Sequence, residues 1–270
     1  MATIIDILKT GVDNKASDIH ITVGVPPKMR VNGKLVTMNF DRLMPQDTKM
    51  LAESIMNDKQ KQWFEDKGEV DFSYGVPDLG RYRVNAYHQR GTVAMALRLV
   101  STNIPEPEAL GVPESVIDLY NRKRGLILVT GPTGSGKSTT LAAILDKANH
   151  NRDAHIITLE DPIEYLHRHD KCIVNQREIG LDSQNYANAL RAALREDPDI
   201  ILVGEMRDFE TISVAITAAE TGHLVLSTLH TIGAASTVDR VIDVFPPHQQ
   251  QQIRVQLANV LEAVVSQQLL

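Results

Sequence analysis

A glycine-rich run at residues 131–138 constrains the fold of this chain more than any other segment. It reads G-P-T-G-S-G-K-S, which is a complete G-x-x-x-x-G-K-[ST] phosphate-loop pattern. An apolar stretch at 126–129 precedes it and predicts a strand, and residues 139–145 after it predict a helix. A strand, a turned backbone and a helix N-terminus together direct N–H groups at a polyphosphate. We therefore expect a phosphate site made of Gly131, Pro132, Thr133, Gly134, Ser135, Gly136, Lys137, Ser138 and Thr139.

Two side chains of this loop add chemistry of their own. Lys137 can neutralise the β- and γ-phosphates, and the hydroxyl of Ser138 can ligate Mg²⁺. The alternative is a glycine-rich turn that binds nothing, and the flanking strand and helix argue against it.

Composition excludes several classes of protein. No run approaches the ~18 apolar residues of a membrane span, and the N-terminus lacks a secretory pattern, so we expect a cytoplasmic protein. The single cysteine, Cys172, permits no internal disulfide and no thiolate-rich metal cage. The net charge of −6 without a long Lys/Arg block argues against nucleic acid as the main partner.

The chain is expected to form two domains. Residues 1–100 combine helical segments with short alternating strands, and Asn32-Gly33 predicts a two-residue hairpin, so this part is expected to be a small α+β domain. Residues 101–113 contain three prolines and a glycine and are interpreted as a linker.

Residues 114–270 change to buried apolar strands that alternate with helices, which predicts a mostly parallel sheet flanked by helices. Expected strands are 126–130, 156–160, 200–204 and 224–229, and expected helices lie near 137–149, 184–196, 209–220 and 234–243. A last helix is expected from Pro247 to the C-terminus.

Acidic residues follow two of these strands. Glu205 comes directly after the expected strand 200–204, where nucleotide hydrolases present a carboxylate from a strand beside the phosphate loop; Gly204 occupies the usual Asp position. Glu160 ends the strand 156–160, and Asp161 and Glu164 follow it so closely that the three carboxylates repel one another unless a cation, protons or water intervene. A Mg²⁺–nucleotide would relieve that repulsion, and the alternative is an acidic surface turn.

Two histidines flank the strand 224–229. His223 and His230 have opposite parity in a strand, so they are not expected to bind one metal ion. His230 follows the carboxyl end of the strand, where open α/β sheets place ligand groups; the alternative is a histidine satisfied by the backbone. The segment 167–172, H-R-H-D-K-C, matches no closed zinc pattern, and a solvated loop is the favoured interpretation.

Arginines line two neighbouring strands of the N-terminal domain. Arg81 and Arg83 share one face of the first strand, and Arg98 lies on the second. They form either a solvated basic face or arginine fingers that reach a neighbouring subunit's nucleotide, because a guanidinium matches phosphate oxygens.

In combination these segments resemble the secretion-ATPase superfamily over essentially the whole chain. Its Walker A is 131–138, its Asp box is 156–165, its Walker B is 200–208, and its His box runs from 219–223 to 229–231. The resemblance is greatest to the pilus-retraction ATPases of twitching motility. Pilus-extension and type II secretion relatives usually carry an extra N-terminal domain and a four-cysteine module; here the N-terminal domain begins at residue 1 and the single cysteine excludes that module.

The resemblance implies an N-terminal PAS-like domain, a RecA-like P-loop ATPase domain and a ring-shaped homo-hexamer that uses ATP and Mg²⁺. It implies catalytic roles for Glu205, Glu164, His230, Arg83 and Arg98, and a magnesium environment of Ser138, Glu160 and Asp161 acting through nucleotide and water. A type IV pilus platform protein at the cytoplasmic face of the inner membrane is the implied partner. Such ATPases continue into a helical region after 266–270, and we expect that region to be absent here.

Three other functions compete with this interpretation. The first is a motor of the same superfamily that drives secretion or pilus assembly. The second is a nucleic-acid motor on a RecA-like core, which the net charge of −6 disfavours. The third is a nucleotide-gated interaction module that does not hydrolyse ATP.

Overall fold

The chain consists of two units, each with its own sheet, and the first unit ends at Val100. A computed structural model describes residues 2–269, and its contacts separate a first unit, Met1–Val100, from a second unit, Ser101–Leu270. The described part of the first unit contains α1 (Ile4–Asp13), β1 (Asp18–Ile21), β2 (Lys28–Val31), β3 (Lys34–Thr37), α2 (Pro45–Glu53), α3 (Asp58–Lys67), β4 (Glu69–Val76), β5 (Gly80–Gln89) and β6 (Thr92–Leu99).

The strands of the first unit form one antiparallel sheet in the order β3-β2-β1-β6-β5-β4. Asn32 and Gly33 join β2 to β3 with φ angles of 48° and 79°, and a two-residue hairpin turn of this kind needs positive φ at both positions. The predicted Asn-Gly hairpin is therefore confirmed. Alternate residues of the long strand β5, among them Val84 and Ala86, are fully buried in the core of this unit.

Strand β4 is missing from the sequence-based prediction. Gly68 ends α3 in the left-handed conformation with φ 82°, and the chain passes directly into β4. The signal is the alternation of buried Val70 and Phe72 with exposed Glu69 and Asp71. It is easy to miss because no separate turn segment lies between the helix and the strand.

The second unit alternates strands with helices. Its described elements are α4 (Glu114–Ile117), β7 (Gly125–Thr130), α5 (Lys137–Asn151), β8 (His155–Glu160), β9 (Ile173–Glu178), α6 (Tyr186–Ala193), β10 (Ile200–Val203), α7 (Phe209–Glu220), β11 (Leu224–Leu229), α8 (Ala234–Asp243), α9 (Pro247–Val260) and β12 (Leu261–Ser266). No helix within residues 2–269 is both long and apolar enough to cross a membrane.

The six strands of the second unit form a parallel sheet in the order β12-β7-β11-β10-β8-β9. Every residue of β7, β10 and β11 is buried, as expected for strands covered by helices on both faces. The predicted mixed α/β fold, with a parallel sheet flanked by helices in its second part, is therefore confirmed.

The strand that ends before Glu205 does not pair with the phosphate-loop strand. In the sheet, β11 lies between β10 and β7. Residue pairs Val203–Ser227 and Ser227–Leu128 connect the three strands in register. Local patterns identify a buried strand but carry no information about its neighbours, which are set by long-range packing.

The predicted helix from Pro247 to the C-terminus is wrong after Val260. Helix α9 ends at Val260, and residues 261–266 form β12, which pairs in parallel with β7. Val264 lies opposite Leu128, and Val265 lies opposite Val129. The consecutive β-branched residues fit the open edge of β7, and this pairing overrides the helical periodicity of the preceding residues.

Residues 101–113, interpreted as a linker, group with the second unit. Ser101 forms an isolated bridge with Tyr165, and its carbonyl accepts a hydrogen bond from the N–H of Leu166 at 2.9 Å. Pro107 is buried at the start of a 3₁₀ turn. Separate from this segment, loops follow the carboxyl ends of β7, β8, β10 and β11 at one edge of the sheet.

Candidate nucleotide-binding site

A cavity of about 380 Å³ lies where four parallel strands of the second unit end. It is lined by Lys137 from the loop after β7, by Glu160 at the end of β8, by Glu205 after β10 and by His230 after β11. Open parallel sheets bind ligands at their carboxyl ends because the connecting loops diverge there. The sequence motifs therefore converge on one site even though their strands are not all neighbours.

The phosphate loop has the backbone conformation that its glycines allow. Gly131, Gly134 and Gly136 have φ angles of 146°, 80° and 84°, a region that residues with a side chain rarely adopt. Gly136 is the N-cap of α5, and no side chain caps this end of the helix. The first N–H groups of α5 therefore lack a side-chain acceptor, which is the arrangement that binds phosphate.

Lys137 is a buried cation that turns back towards its own loop. Its Nζ donates to the carbonyl oxygens of Gly131 at 3.0 Å and of Pro132 at 2.9 Å. Loss of solvation lowers the pKa of this ammonium group, while the charges of Glu205 and Glu164 act to raise it. An anion in the cavity would replace the lost solvation, so this residue fits a phosphate group.

Four carboxylates line the same cavity: Glu160, Asp161, Glu164 and Glu205. Burial raises the pKa of Glu160, although hydrogen bonds from Thr158 Oγ1 at 2.6 Å and Gln176 Nε2 at 3.1 Å favour its charged form. Both donors bind the same oxygen, Oε1, so the structure holds this carboxyl group in place from within the sheet.

Glu205 is the centre of a charged group at the cavity edge. His230 Nε2 lies 3.1 Å from Glu205 Oε1, and the same oxygen accepts a hydrogen bond from Arg207 Nε. The contact with Glu205 raises the pKa of Arg207. Glu205 is 19% exposed, whereas the Arg207 side chain is 75% exposed, so the carboxylate is shielded and the arginine reaches out into solvent.

The close packing around Gly204 explains why no acidic side chain occupies this position. A Cβ on Gly204 would lie 3.0 Å from the hydroxyl of Tyr186 and 3.1 Å from the carbonyl of Leu159. Tyr186 lines the cavity, and burial raises the pKa of its phenol, with Asp161 and Glu205 nearby adding to the effect. The tyrosine therefore occupies space that a side chain at 204 would need.

Sequence analysis missed Tyr186, included Tyr165 and Arg207 only as members of the Asp box and the Walker B segment, and gave His167 only as a residue of a solvated loop. The hydroxyls of Tyr165 and Thr139 lie 3.0 Å apart, and Tyr165 and His167 both line the cavity. Burial lowers the pKa of His167 to about 4, so the imidazole is neutral near pH 7. No local pattern marks Tyr186, because only long-range folding brings it to the cavity.

The predicted phosphate-loop residues divide into two sets. Thr133, Gly134, Gly136, Lys137, Ser138 and Thr139 line the cavity, whereas Gly131, Pro132 and Ser135 form the part of the loop behind it. Of the residues expected near magnesium, Ser138, Glu160 and Asp161 all line the cavity. Within residues 2–269 no group of three or more His, Cys, Asp or Glu side chains is placed to hold a metal ion unaided.

The two other histidine-containing patterns have structural contacts. His223 Nδ1 lies 2.9 Å from the carbonyl oxygen of Ala218, at the opposite end of β11 from His230. In the 167–172 segment, His169 Nδ1 accepts a hydrogen bond from Val174 N, and Cys172 Sγ donates to Arg152 O.

Arg83 and Arg98 belong to the first unit. They lie opposite each other on β5 and β6, and both are exposed. Arg98 Nε donates to Asp18 Oδ1 at 2.8 Å; this hydrogen bond and one from Ser17 lower the pKa of Asp18, although burial acts to raise it. Both side chains are exposed, and Arg98 can bind an external ligand only by sharing or leaving Asp18.

Known proteins resemble the chain over almost its whole length. A sequence profile of the family described as "Type II/IV secretion system protein" matches residues 2–270. The type IV pilus retraction ATPase PilT of Pseudomonas aeruginosa is 49% identical over 267 residues, which cover 99% of this chain and 78% of that protein. A twitching motility protein of Neisseria gonorrhoeae is 45% identical over 268 residues, covering 99% of this chain and 72% of the relative.

A solved structure agrees with these relatives. The crystal structure of the pilus retraction motor PilT with bound ADP superimposes with a TM-score of 0.90 and 53% sequence identity. The match covers 98% of this chain and 77% of that one.

Proposed function

The chain belongs to the type II/IV secretion system protein family, and on this premise we propose that it is an ATPase that retracts type IV pili in twitching motility. One observation carries the proposal: the phosphate loop after β7, Glu205 after β10 and His230 after β11 line a single cavity. The loop provides N–H groups for phosphate, and the side chains of Glu205 and His230 provide a carboxylate base and a polar group at the same place.

The phosphate loop binds the triphosphate. Uncapped N–H groups at the start of α5 and the ammonium of Lys137 supply positive potential to the β- and γ-phosphates. Ser138 is the ligand expected for Mg²⁺, with Glu160 and Asp161 near its water shell, and these oxygen atoms suit that ion. Bound Mg²⁺ would supply charge neutralisation of the phosphate oxygens.

Glu205 is the proposed base that orients and deprotonates the attacking water. Its Oε1 is engaged by His230 and Arg207, which fixes the direction of the carboxylate. Glu164 lines the same cavity and is the second catalytic carboxylate of the proposal. His230 follows the strand next to the phosphate loop, so it is placed to sense whether a γ-phosphate is present.

The arginines of the first unit complete the proposed machine. In a homo-hexamer, Arg83 and Arg98 of one subunit would bind the γ-phosphate held by its neighbour, where two guanidinium groups stabilise developing charge. Hydrolysis would then loosen the contact and rotate one unit against the other. This motion would be passed to a pilus platform protein at the cytoplasmic face of the inner membrane.

A domain exchange tests the proposal. The region of Pseudomonas aeruginosa PilT that matches this chain would be replaced by residues 2–269, and the chimera would be expressed in a strain lacking its own PilT. Purified chimera should release phosphate from Mg-ATP, and the cells should regain twitching motility.

The two readouts separate the parts of the proposal. Phosphate release without motility would contradict pilus retraction and favour another secretion or pilus-assembly role within the family. A chimera that hydrolyses no ATP, although the same preparation of unmodified PilT does, would contradict the ATPase itself.

A further inference from the structure

The last described strand places a glutamine behind the phosphate loop. Gln267 follows β12, and its backbone N–H donates to the carbonyl of Thr130, the last residue of β7, at 2.8 Å. Its side-chain Oε1 accepts a hydrogen bond at 2.9 Å from Oγ1 of Thr140, which is buried in the first turn of α5. One residue therefore holds both ends of the loop that runs from Thr130 to Thr140.

Gln267 leaves no room for a side chain at two glycines of the loop. A Cβ on Gly136 would lie 2.9 Å from Gln267 Nε2, and a Cβ on Gly131 would overlap with the carbonyl oxygen of Gln267. The side-chain amide of Gln267 therefore packs directly against the N-cap of α5. Gly136 lines the cavity, whereas Gln267 lies on the other side of the loop and does not line it.

The same strand also holds the loop that carries His230. Ser266 Oγ accepts a hydrogen bond from the N–H of Gly233 at 2.9 Å, three residues after the histidine. Two consecutive residues, Ser266 and Gln267, thus connect the phosphate loop and the histidine loop to one strand. The edge strand β12 is placed for this because β7, its neighbour, leads into the phosphate loop.

We propose that Gln267 is a positioning residue for nucleotide binding: it braces the phosphate loop from behind, in the conformation in which the loop's N–H groups bind phosphate. The inference rests on the proposed nucleotide site. A glycine-rich loop has many conformations, and fixing it before binding lowers the entropy lost when phosphate binds. A neutral side chain suits this position because a carboxylate there would repel the phosphates bound by the loop.

The Gln267→Glu variant distinguishes this role from a merely structural one. It keeps an oxygen for the hydroxyl of Thr140 but adds a negative charge at the N-terminus of α5. That charge is favourable for the helix itself, since anions stabilise helix N-termini, yet it repels a triphosphate bound on the opposite side of the loop. Stability and affinity should therefore move in opposite directions, or stability should not move at all.

The experiment measures the Kd of ATP by equilibrium titration and the unfolding midpoint without nucleotide. We expect Gln267→Glu to raise the Kd by about 10-fold or more at low salt, with an unchanged or higher unfolding midpoint, and added salt should reduce the effect. The matched control is Gln268→Glu, the same charge change at the exposed neighbouring residue, which should leave the Kd unchanged.

A second pair of variants tests the hydrogen bond. Thr140→Val and Gln267→Leu should each raise the Kd of ATP by about 3-fold or more, and the double variant should show less than the product of the two effects.

Equal Kd values for the unmodified chain, Gln267→Glu and Gln268→Glu would contradict the proposal that Gln267 positions the phosphate loop. A loss of affinity that accompanies a loss of stability in every variant would also contradict it. If the unmodified chain itself binds no ATP, both the nucleotide site and the role of Gln267 are contradicted.

Discussion

His230 Nε2 lies 3.1 Å from Glu205 Oε1, and this contact joins the carboxyl ends of the neighbouring strands β11 and β10. Each residue follows the end of a fully buried strand, so the sheet fixes the spacing between them. Glu205 is therefore held with one oxygen engaged, while the residue as a whole still lines the cavity. Such a fixed carboxylate suits the orientation of water for attack on a phosphate.

Replacing Glu205 by Gln should stop hydrolysis without stopping binding. Gln retains an oxygen for Arg207 and His230 but cannot accept a proton, so turnover should fall by about 10²-fold or more. The ATP affinity should stay equal or rise, because one negative charge near the phosphates is removed. Phosphate release and nucleotide titration provide the two measurements.

The matched control for this substitution is Glu210→Gln. Glu210 is an exposed carboxylate at the start of α7, paired with Arg191. It should retain normal turnover. Normal turnover in Glu205→Gln would instead assign the base to Glu164 or another acid.

His167 should make the second unit lose stability in mild acid. Its folded-state pKa of about 4 lies below the usual 6.5, so the unfolded chain takes up a proton first as the pH falls. The free energy of unfolding should drop between these two values, and His167→Gln should remove about 1–2 kcal/mol of that drop between about pH 7.5 and pH 5.

This effect is measured as the pH dependence of the free energy of urea unfolding, and hydrogen exchange in β8 and β9 reports the stability of the second unit. The exposed His248→Gln on α9 is the control, and it should keep the full pH dependence of the parent chain. If the free energy of unfolding of His167→Gln and of the parent chain depends on pH in the same way, the His167 imidazole does not cause the loss of stability in acid.

Subunit mixing tests the proposed role of Arg83 and Arg98 across an interface. Subunits with both arginines changed to Ala would be combined with Lys137→Ala subunits, each inactive alone. If the arginines act on a neighbour's nucleotide, some interfaces in mixed rings combine an intact phosphate loop with intact arginines, and phosphate release partly returns. Co-assembled subunits without activity at any ratio would contradict action across the interface.

Sequence alone predicted the parts of the site that depend on local chemistry. The phosphate loop is recognisable because its glycines and Lys137 must be close in sequence. Glu205 and His230 are recognisable because each lies within two residues of the end of a buried strand. Tyr186 and Gln267 are not readable, because folding brings them from distant positions: Tyr186 to Gly204, and Gln267 to Gly136.

Secondary structure followed the same division. Most of the helices and strands were predicted from their periodicity, although β4 and β9 were missed. Strand β12 and the order of the parallel strands depend on contacts across the sheet. Residues 261–266 satisfy a helical pattern locally and become a strand because the edge of β7 is open to them.

The most direct test of the nucleotide site compares two lysines of the same helix. Lys137 begins α5 in the phosphate loop, and Lys147 lies further along the same helix, paired with Glu106 at 4.0 Å. Equilibrium titration with a fluorescent ATP analogue, together with phosphate release from Mg-ATP, would be measured for Lys137→Ala, Lys147→Ala and the unmodified chain. We predict that Lys137→Ala weakens binding by about 10²-fold or more and abolishes hydrolysis, because the phosphates lose their dedicated cation, while Lys147→Ala matches the unmodified chain. Unchanged affinity and turnover in Lys137→Ala would contradict the assignment of this cavity as the ATPase site.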